Sequence, residues 1–473
     1  MTVRTATRLA IAAALVAAAM AAVRSCGGHP PNVLLITIDT LRADHLHCYG
    51  QSLPTSPNID ALAARSVVFE RAIAASGYTG PAHSSIMTSK YPRRQSTAFS
   101  NGLLTLAGVE TLADVLRQSG YDTAAFVSNG VLAAGSGLNH GFDVYDDELP
   151  TVERNRFNVF ERLAPQTAAR ALAWLERPRT KPFFLWVHFQ DPHGPYTPPE
   201  PYRDRFRVPV VAGEPELRVL DDDGGQGGIP AYQLVDGARQ VSDYRSRYAG
   251  EIAYMDQSVG DLLAALERYG PTIVALTADH GESFGENGFY FAHGHSAAPD
   301  LSHVPLMINA PGLRAERRAD PVSHVDVMPT LLELTGRPVP EDLDGIALGP
   351  ILRAHVAVPA RAVFCDIGYE VAAYGVDDFL VAAIAEQKSW TLEVFYQEGH
   401  AAREHAIAGA EGLTVMQTFN WDGGPTWTAR DPAPDLAARL ASYLEGSSSV
   451  IGDPVPLSPA DRERLRSLGY GAR

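Results

Sequence analysis

The residues able to do chemistry in this chain gather at the ends of apolar runs. Asp39-Thr40 closes a run that starts at Asn32, and His188-Phe189-Gln190-Asp191-Pro192-His193 closes a second that starts at Phe183. Asp279-His280-Gly281-Glu282 follows a third run from Thr272, with His293, His295 and His303 shortly after. Short apolar runs rich in β-branched residues are the pattern of parallel strands buried on both faces. In an open α/β sheet, ligands bind beyond the carboxyl ends of such strands. One Asp or His alone is more often a helix cap or a partner for buried backbone. Acids and histidines at three strand ends point instead to a hard divalent cation held by Asp39, Asp279 and His280. Asp191 and His193 leave two readings open: a second metal, or a loop-orienting acid beside a histidine that touches substrate.

A candidate nucleophile lies in Tyr78-Thr79-Gly80-Pro81-Ala82-His83. Thr79 reads as a helix N-cap with Pro81 in the first turn. The amides of a helix N-terminus attract an anion such as phosphate or sulfate. His83, four residues on, falls on the same side of that turn. A neighbouring cation lowers the pKa of a bound hydroxyl, which brings a Thr79 alkoxide within reach at neutral pH.

These residues need a scaffold, and the pattern supplies one. Strand-like runs at 32–38, 124–127, 183–187, 272–276 and 305–308 alternate with helical periodicity at 111–118 and 251–268. That alternation implies a doubly wound α/β sheet. The stretch 196–247, rich in Pro, Gly and acids, reads as a surface insertion. After residue 350, short runs between 361 and 395 suit a small antiparallel sheet, and 432–444 reads as a closing helix. The expected organisation is a catalytic domain over 30–350 and a C-terminal α+β subdomain over 351–473.

The 473 residues carry a net charge of −16, which argues against a nucleic-acid surface. With 45% hydrophobic and 20% charged residues the composition is that of an ordinary globule. Three cysteines, Cys26, Cys48 and Cys365, are too few for a disulfide framework or a Cys-only metal cluster. Arg4 and Arg8 precede an unbroken apolar run from Leu9 to Val23, then Arg24-Ser25-Cys26. Fifteen apolar residues suit an export signal over 1–28 better than a spanning helix, which needs about 20. Val23-Arg24-Ser25-Cys26 is also an imperfect bacterial lipobox. The expected location is therefore periplasmic, or membrane-anchored as a lipoprotein through the N-terminus.

In this order, the segments 32–46, Thr79-Gly80-Pro81-Ala82-His83 continuing to Pro92, 188–196, 277–282, 304–312, 324–332 and 457–470 resemble the sulfatase family of the alkaline phosphatase superfamily. The resemblance implies a large mixed, mostly parallel sheet sandwiched by helices, with a small C-terminal antiparallel sheet plus helix. It implies that Asp39, Asp279 and His280 hold one divalent metal touched by Thr79. Calcium is the family's first choice, and His280 also permits manganese or zinc. Thr40 stands where many members have a second acidic or amide ligand, and His83 where typical members have an Arg that pairs with the nucleophile. Asn101 resembles an Asn that contacts the bound anion. His193 would face the ester oxygens or protonate the leaving group, and His293 or His295 falls where a second basic residue belongs. The family's Lys-x-His pair is replaced by Phe126-Val127-Ser128-Asn129.

Standard members use a formylglycine made from Cys or Ser, and Thr79 is not its usual precursor. A Thr alkoxide would form a covalent ester cleaved by water, which tilts the expected substrates toward phosphate or phosphonate esters beside sulfate esters. Small-molecule, glycan or lipid anionic esters are the expected substrates. Two alternatives stand beside hydrolysis: phosphoryl-group transfer to envelope glycolipids, and a non-catalytic family member.

Overall fold

Three of the apolar runs become adjacent strands of one sheet because each is apolar on both faces and can only be buried centrally. These are β1 (Asn32–Ile38), β7 (Phe183–Phe189) and β8 (Thr272–Ala278), in which only Thr272 is partly exposed. In this computed structural model the described residues are 30–95, 101, 106, 109–368, 370–375, 378–384, 405–406, 413–420, 428–430 and 434–447. The export signal with Cys26, the run at 390–396 and the 457–470 segment lie outside them.

Among the described residues the main sheet has eight strands, in the order β10-β2-β9-β8-β1-β7-β3-β4. The additional strands are β2 (Val67–Ile73), β3 (Asp122–Phe126), β4 (Val144–Asp146), β9 (His303–Asn309) and β10 (Glu316–Ser323). All pairings are parallel except those of β9 with β2 and β8. The sheet is thus mixed and mostly parallel, as the resemblance implied. The alternation of apolar runs does not reveal β2 or β10. Each alternates or interrupts its apolar residues with charge, because β10 is an edge strand that keeps Glu316, Arg318 and Asp320 partly in water.

Register places the chemistry. Ile38 on β1 aligns with Phe189 on β7 and with Ala278 on β8. The residues that follow, Asp39 and Asp279, therefore emerge side by side at the carboxyl edge of the sheet. The Asp39 amide bonds the Phe189 carbonyl at 2.9 Å, and the Asp279 amide the Ile38 carbonyl at 3.3 Å. A 26-residue helix, Val241–Leu266, lies under this edge and buries Tyr244, Tyr248, Ile252, Met255, Val259 and Leu262. That three-and-four spacing is one helical face. Its first two turns fall inside the stretch read as an insertion, where Tyr244-Arg245-Ser246-Arg247-Tyr248 alternates with period two and hides the helix. The Tyr248 hydroxyl donates to the Thr40 carbonyl at 2.7 Å.

A second, antiparallel sheet runs β11 (Val363–Asp366), β12 (Glu370–Tyr374), β13 (Asp378–Ile384) and β15 (Leu413–Asn420). The short β14 (His405–Ala406) and β16 (Thr428–Arg430) both pair with β15, and a helix over Pro434–Ser447 closes the unit. Its apolar side chains share a core with Ala75, Tyr91 and Val325. Arg93, just beyond the helix Thr79–Thr88, makes a two-pronged pair with Asp366 at 2.7 and 2.9 Å.

Candidate active site

Thr79 is not the N-cap that its sequence context suggests. Tyr78 occupies that position with extended backbone, and Thr79 is the first helical residue. A capping Thr would spend its hydroxyl on a backbone amide. Here the amide of Gly80 is met at 2.8 Å by the Asn101 side-chain oxygen, reaching in from another segment. The Thr79 hydroxyl is thereby left for His280, whose Nε2 lies 3.3 Å away. Asn101 keeps its Nδ2 buried, with no partner among the described residues.

The nitrogen of His280 that faces Thr79 is unprotonated. Its other nitrogen, Nδ1, sits 2.9 Å from the Gly281 carbonyl, which only accepts, so the ring proton belongs on Nδ1. Nε2 therefore offers a lone pair, 3.6 Å from Asp279 Oδ2. Asp39, Asp279 and His280 each bring a ligand atom within 4.8 Å of the others, all buried. Asp39 Oδ1, Asp279 Oδ2 and the Thr40 hydroxyl have no hydrogen-bond partner. Buried polar atoms are normally paired. The orphaned oxygens of Asp39 and Asp279, grouped with an imidazole lone pair, form a donor set suited to a divalent cation. Burial pushes the Asp39 carboxyl well above its usual range and the Asp279 charge pushes it further. Histidine charges would hold Asp279 below its usual range against the burial that raises it, but burial keeps those same histidines neutral. The direction that stands is the raising of Asp39: two buried carboxylates repel unless a cation joins them.

Thr40 adopts a left-handed conformation with φ of 55°, which is rare for a β-branched residue. Its amide donates to Asp279 Oδ1 at 3.1 Å, and its carbonyl is held by Tyr248. Two hydrogen bonds thus hold the strained turn beside Asp279.

His83 touches Thr79, though not at the hydroxyl. Its Nδ1–H donates to the Thr79 carbonyl at 2.8 Å. Its Nε2 lies 2.9 Å from the Thr37 hydroxyl, which itself accepts from Trp186 Nε1 at 2.9 Å. Thr37 must then donate to His83, so both ring nitrogens are engaged. Burial lowers the His83 pKa. At this position an Arg would bring a fixed charge, whereas His83 brings a neutral brace that ties the helix start to β1.

His193 and His293 come together with His280, with ring centroids 5.2 Å and 4.6 Å apart for the pairs His193–His293 and His280–His293. His193 commits Nδ1–H to the Gly194 carbonyl at 2.7 Å, which leaves Nε2 free. Burial, then the His293 charge, pushes its pKa well below the ordinary value. His293 Nδ1 lies 3.1 Å from Glu282 Oε1, while the Tyr196 hydroxyl donates to Glu282 Oε2 at 2.9 Å. His295 is placed elsewhere: its ring stacks on Phe289 at 3.8 Å and its Nε2 meets the Ser283 hydroxyl at 3.1 Å. His303 also turns away, bonding the Glu70 carbonyl at 2.8 Å. Asp191 accepts from the Ala164 amide at 2.7 Å, at the start of the helix Ala164–Leu175, and belongs to none of the metal-like groups among the described residues.

Three neighbours escape a sequence reading. Asn129 donates from Nδ2 to Asp39 Oδ2 at 2.9 Å, from the stretch that lacks the Lys-x-His pair. His188 lies 3.7 Å from the same oxygen. Glu282 orients His293. Of these, Glu282 and His188 sit inside the quoted segments 277–282 and 188–196, and Asn129 closes 126–129.

Residues 31–337 match the family model described as Sulfatase. Human iduronate 2-sulfatase is 28% identical over 342 residues, which cover 60% of this chain and 60% of that protein's length. Choline-sulfatase of Rhizobium meliloti is 28% identical over 379 residues, 68% of this chain and 71% of the relative. Among solved structures, the phosphonate monoester hydrolase of Agrobacterium radiobacter superposes with a TM-score of 0.63 at 22% identity, covering 90% of this chain and 96% of the other. A putative sulfatase from Bacteroides thetaiotaomicron gives 0.62 at 21% identity, covering 92% and 96%.

Proposed function

The chain belongs to the sulfatase family, and from that premise we propose that it hydrolyses sulfate, phosphate or phosphonate esters through Thr79 with one divalent cation. The observation that carries the reading is the Thr79 hydroxyl, freed from capping by Asn101 and aimed at His280 among unpartnered oxygens of Asp39, Thr40 and Asp279. A cation held by Asp39, Asp279, His280 and Thr79 would supply the positive charge that makes the Thr79 oxygen nucleophilic and offsets the charge of the ester. Calcium suits the oxygens, and manganese or zinc suits His280.

The rest of the chemistry falls to side chains. Thr79 Oγ1 bonds to phosphorus or sulfur as the bond to the leaving oxygen breaks. The hydroxyl proton of Thr79 passes to water, and His193, whose Nε2 is uncommitted, faces the ester oxygens or protonates the leaving oxygen. Water then attacks the same centre, breaks the bond to Thr79 and restores its hydroxyl. Asn101 Nδ2, and His293 in its doubly protonated form beside the Glu282 carboxylate, offer donors to the anion's remaining oxygens. An ester of Thr lacks the aldehyde hydrate that lets a formylglycine expel sulfate by elimination, so attack at the centre must complete the cycle. That chemistry favours phosphate and phosphonate esters over sulfate esters. The ester's organic part, whether small molecule, glycan or lipid, is selected by loops beyond this core.

Purified protein given nitrophenyl phosphate, bis-nitrophenyl phosphate, nitrophenyl phenylphosphonate and nitrophenyl sulfate, each with calcium, manganese or zinc, should release nitrophenol with at least one combination. Thr79→Ala should lower that rate by about 10⁴-fold or more. Wild type no faster than Thr79→Ala on every ester would exclude the reading. We also place the working enzyme outside the cytoplasm, from the basic and apolar segment at 1–28. Mass spectrometry of the mature N-terminus separates cleavage near Ala21 from lipidation of Cys26. Among the described residues no helix is long and apolar enough to cross a membrane.

A further inference from the structure

His188 takes no part in the scheme above, yet it stands against the carboxylates on which the scheme depends. It aligns with Thr37 across the β1–β7 pairing and is fully buried. The Ser128 amide donates to its Nδ1 at 3.3 Å. A nitrogen that accepts carries no proton, so the neutral ring carries its proton on Nε2. Nε2 lies 3.7 Å from Asp39 Oδ2 and has no hydrogen-bond partner.

Together with His83 and Asp279, His188 has the spacing of a second metal site, with ligand atoms within 4.8 Å of one another. The hydrogen bonds argue against that use. His83 spends its Nδ1–H on the Thr79 carbonyl and its Nε2 lone pair on Thr37. His188 has its lone pair on Nδ1, facing Ser128, and a proton on the side where a cation would sit. What the arrangement does offer is one hydrogen bond on Asp39 Oδ2, from Asn129, with the His188 Nε2–H directed at the same oxygen from 3.7 Å, beyond hydrogen-bond length. His188 Nε2–H and Asn129 Nδ2–H both face Asp39 Oδ2, whereas Asp39 Oδ1 is left without a partner.

We infer that His188 is a positioning residue for the cation site: its polar Nε2–H, 3.7 Å from Asp39 Oδ2, reinforces the Asn129 hydrogen bond on that oxygen electrostatically and so leaves Oδ1 for the cation. The inference rests on Asp39 being a ligand. Groups that orient a metal-binding carboxylate typically change metal affinity about 10–100-fold when removed.

The test uses the full chain, stripped of metal and titrated calorimetrically with calcium and with manganese. His188→Phe keeps a ring but offers no N–H, and should weaken binding about 10–100-fold while stoichiometry stays at one ion per chain. His188→Gln restores an amide N–H and should recover affinity to within about threefold of wild type. Unfolding midpoints in EDTA establish that both variants are folded; if the Phe variant is not, His188→Asn, whose shorter amide does not reach Asp39, replaces it. Equal affinity for wild type and the donor-less variant overturns the inference, as does a Gln variant no tighter than the donor-less one. Two ions in wild type with one lost in the variant would make His188 a ligand instead. Wild type binding neither ion would remove the cation reading itself, and this inference with it.

Discussion

At the scale of single residues, the site depends on which atom of each side chain is already committed. The strand-end acids and His280 are legible in the sequence because a strand end is a place, and apolar runs mark strand ends. Partner choice is not legible. That His83 bonds the Thr79 carbonyl, that Glu282 orients His293, and that Asn129 and His188 face Asp39 all follow from cross-strand register and rotamers. The same limit left His293 and His295 undivided in the sequence, where they are two residues apart, although one joins His280 and the other stacks on Phe289. Thr40 shows a cost at this scale. A β-branched residue at φ 55° loses about 1–3 kcal/mol to strain, and Asn tolerates that conformation far better. Thr40→Asn should therefore raise metal-free stability by about 1 kcal/mol in urea denaturation. A lower urea midpoint for the variant would remove the strain argument.

The helix Thr79–Thr88 is the element that decides the chemistry, and its start is shared between two segments. The sequence pattern identifies the helix and its first-turn Pro81 but assigns the cap to Thr79, since Asn101 lies 21 residues beyond Gly80 and no local pattern connects them. The division can be tested with two substitutions. Asn101→Ala removes both the cap on Gly80 and the free Nδ2, and should cost about 1 kcal/mol of stability together with most activity. Asn101→Asp keeps an oxygen for the Gly80 amide and should recover the stability. It should remain slow, because it offers a negative charge where the anion needs a donor. Recovery of both stability and rate by Asp would show that Asn101 only caps. Elsewhere, the edge strand β10 and the first turns of the helix Val241–Leu266 were missed for one reason: polar residues facing water interrupt the periodicity from which elements are read.

For the molecule as a whole, buried titratable groups pull stability in opposite directions. Burial lowers His45 and His303 to about 4 and His295 and His324 to about 3. Unfolded histidines bind protons near 6.5, so their contribution is full above that pH and is lost as pH falls toward 4. Burial raises Asp300 to about 7 and Glu161 and Glu370 to about 8. These hold protons in the folded chain that the unfolded chain releases near 4, so their contribution is lost as pH rises through 7 to 8. The two trends oppose each other between about pH 4.5 and 6.5, where Asp191 and Asp256, raised by burial to about 6, add to the acid side. Thermal midpoints measured from pH 4 to 9 without metal should form a plateau there and fall on both sides; a midpoint still rising from pH 7 to 9 would contradict these assignments. The −16 charge, read from sequence alone, gives no hint of this balance.

Glu370, on the small sheet, accepts from the Ala297 amide at 2.7 Å and the Ser296 hydroxyl at 3.1 Å, four and three residues beyond His293. Tyr374, on the same strand, donates to the Ala297 carbonyl at 2.6 Å. The segment that presents His293 is therefore tethered from residues beyond 337, where the family match ends. A protein trimmed to the matched span would keep every group of the proposed cation site and nucleophile, and His293 would keep Glu282, but the segment beyond it would lose its three hydrogen bonds to the small sheet. On the proposed function, a fragment assayed at the shorter boundary would report the loss of a tether as the loss of an enzyme.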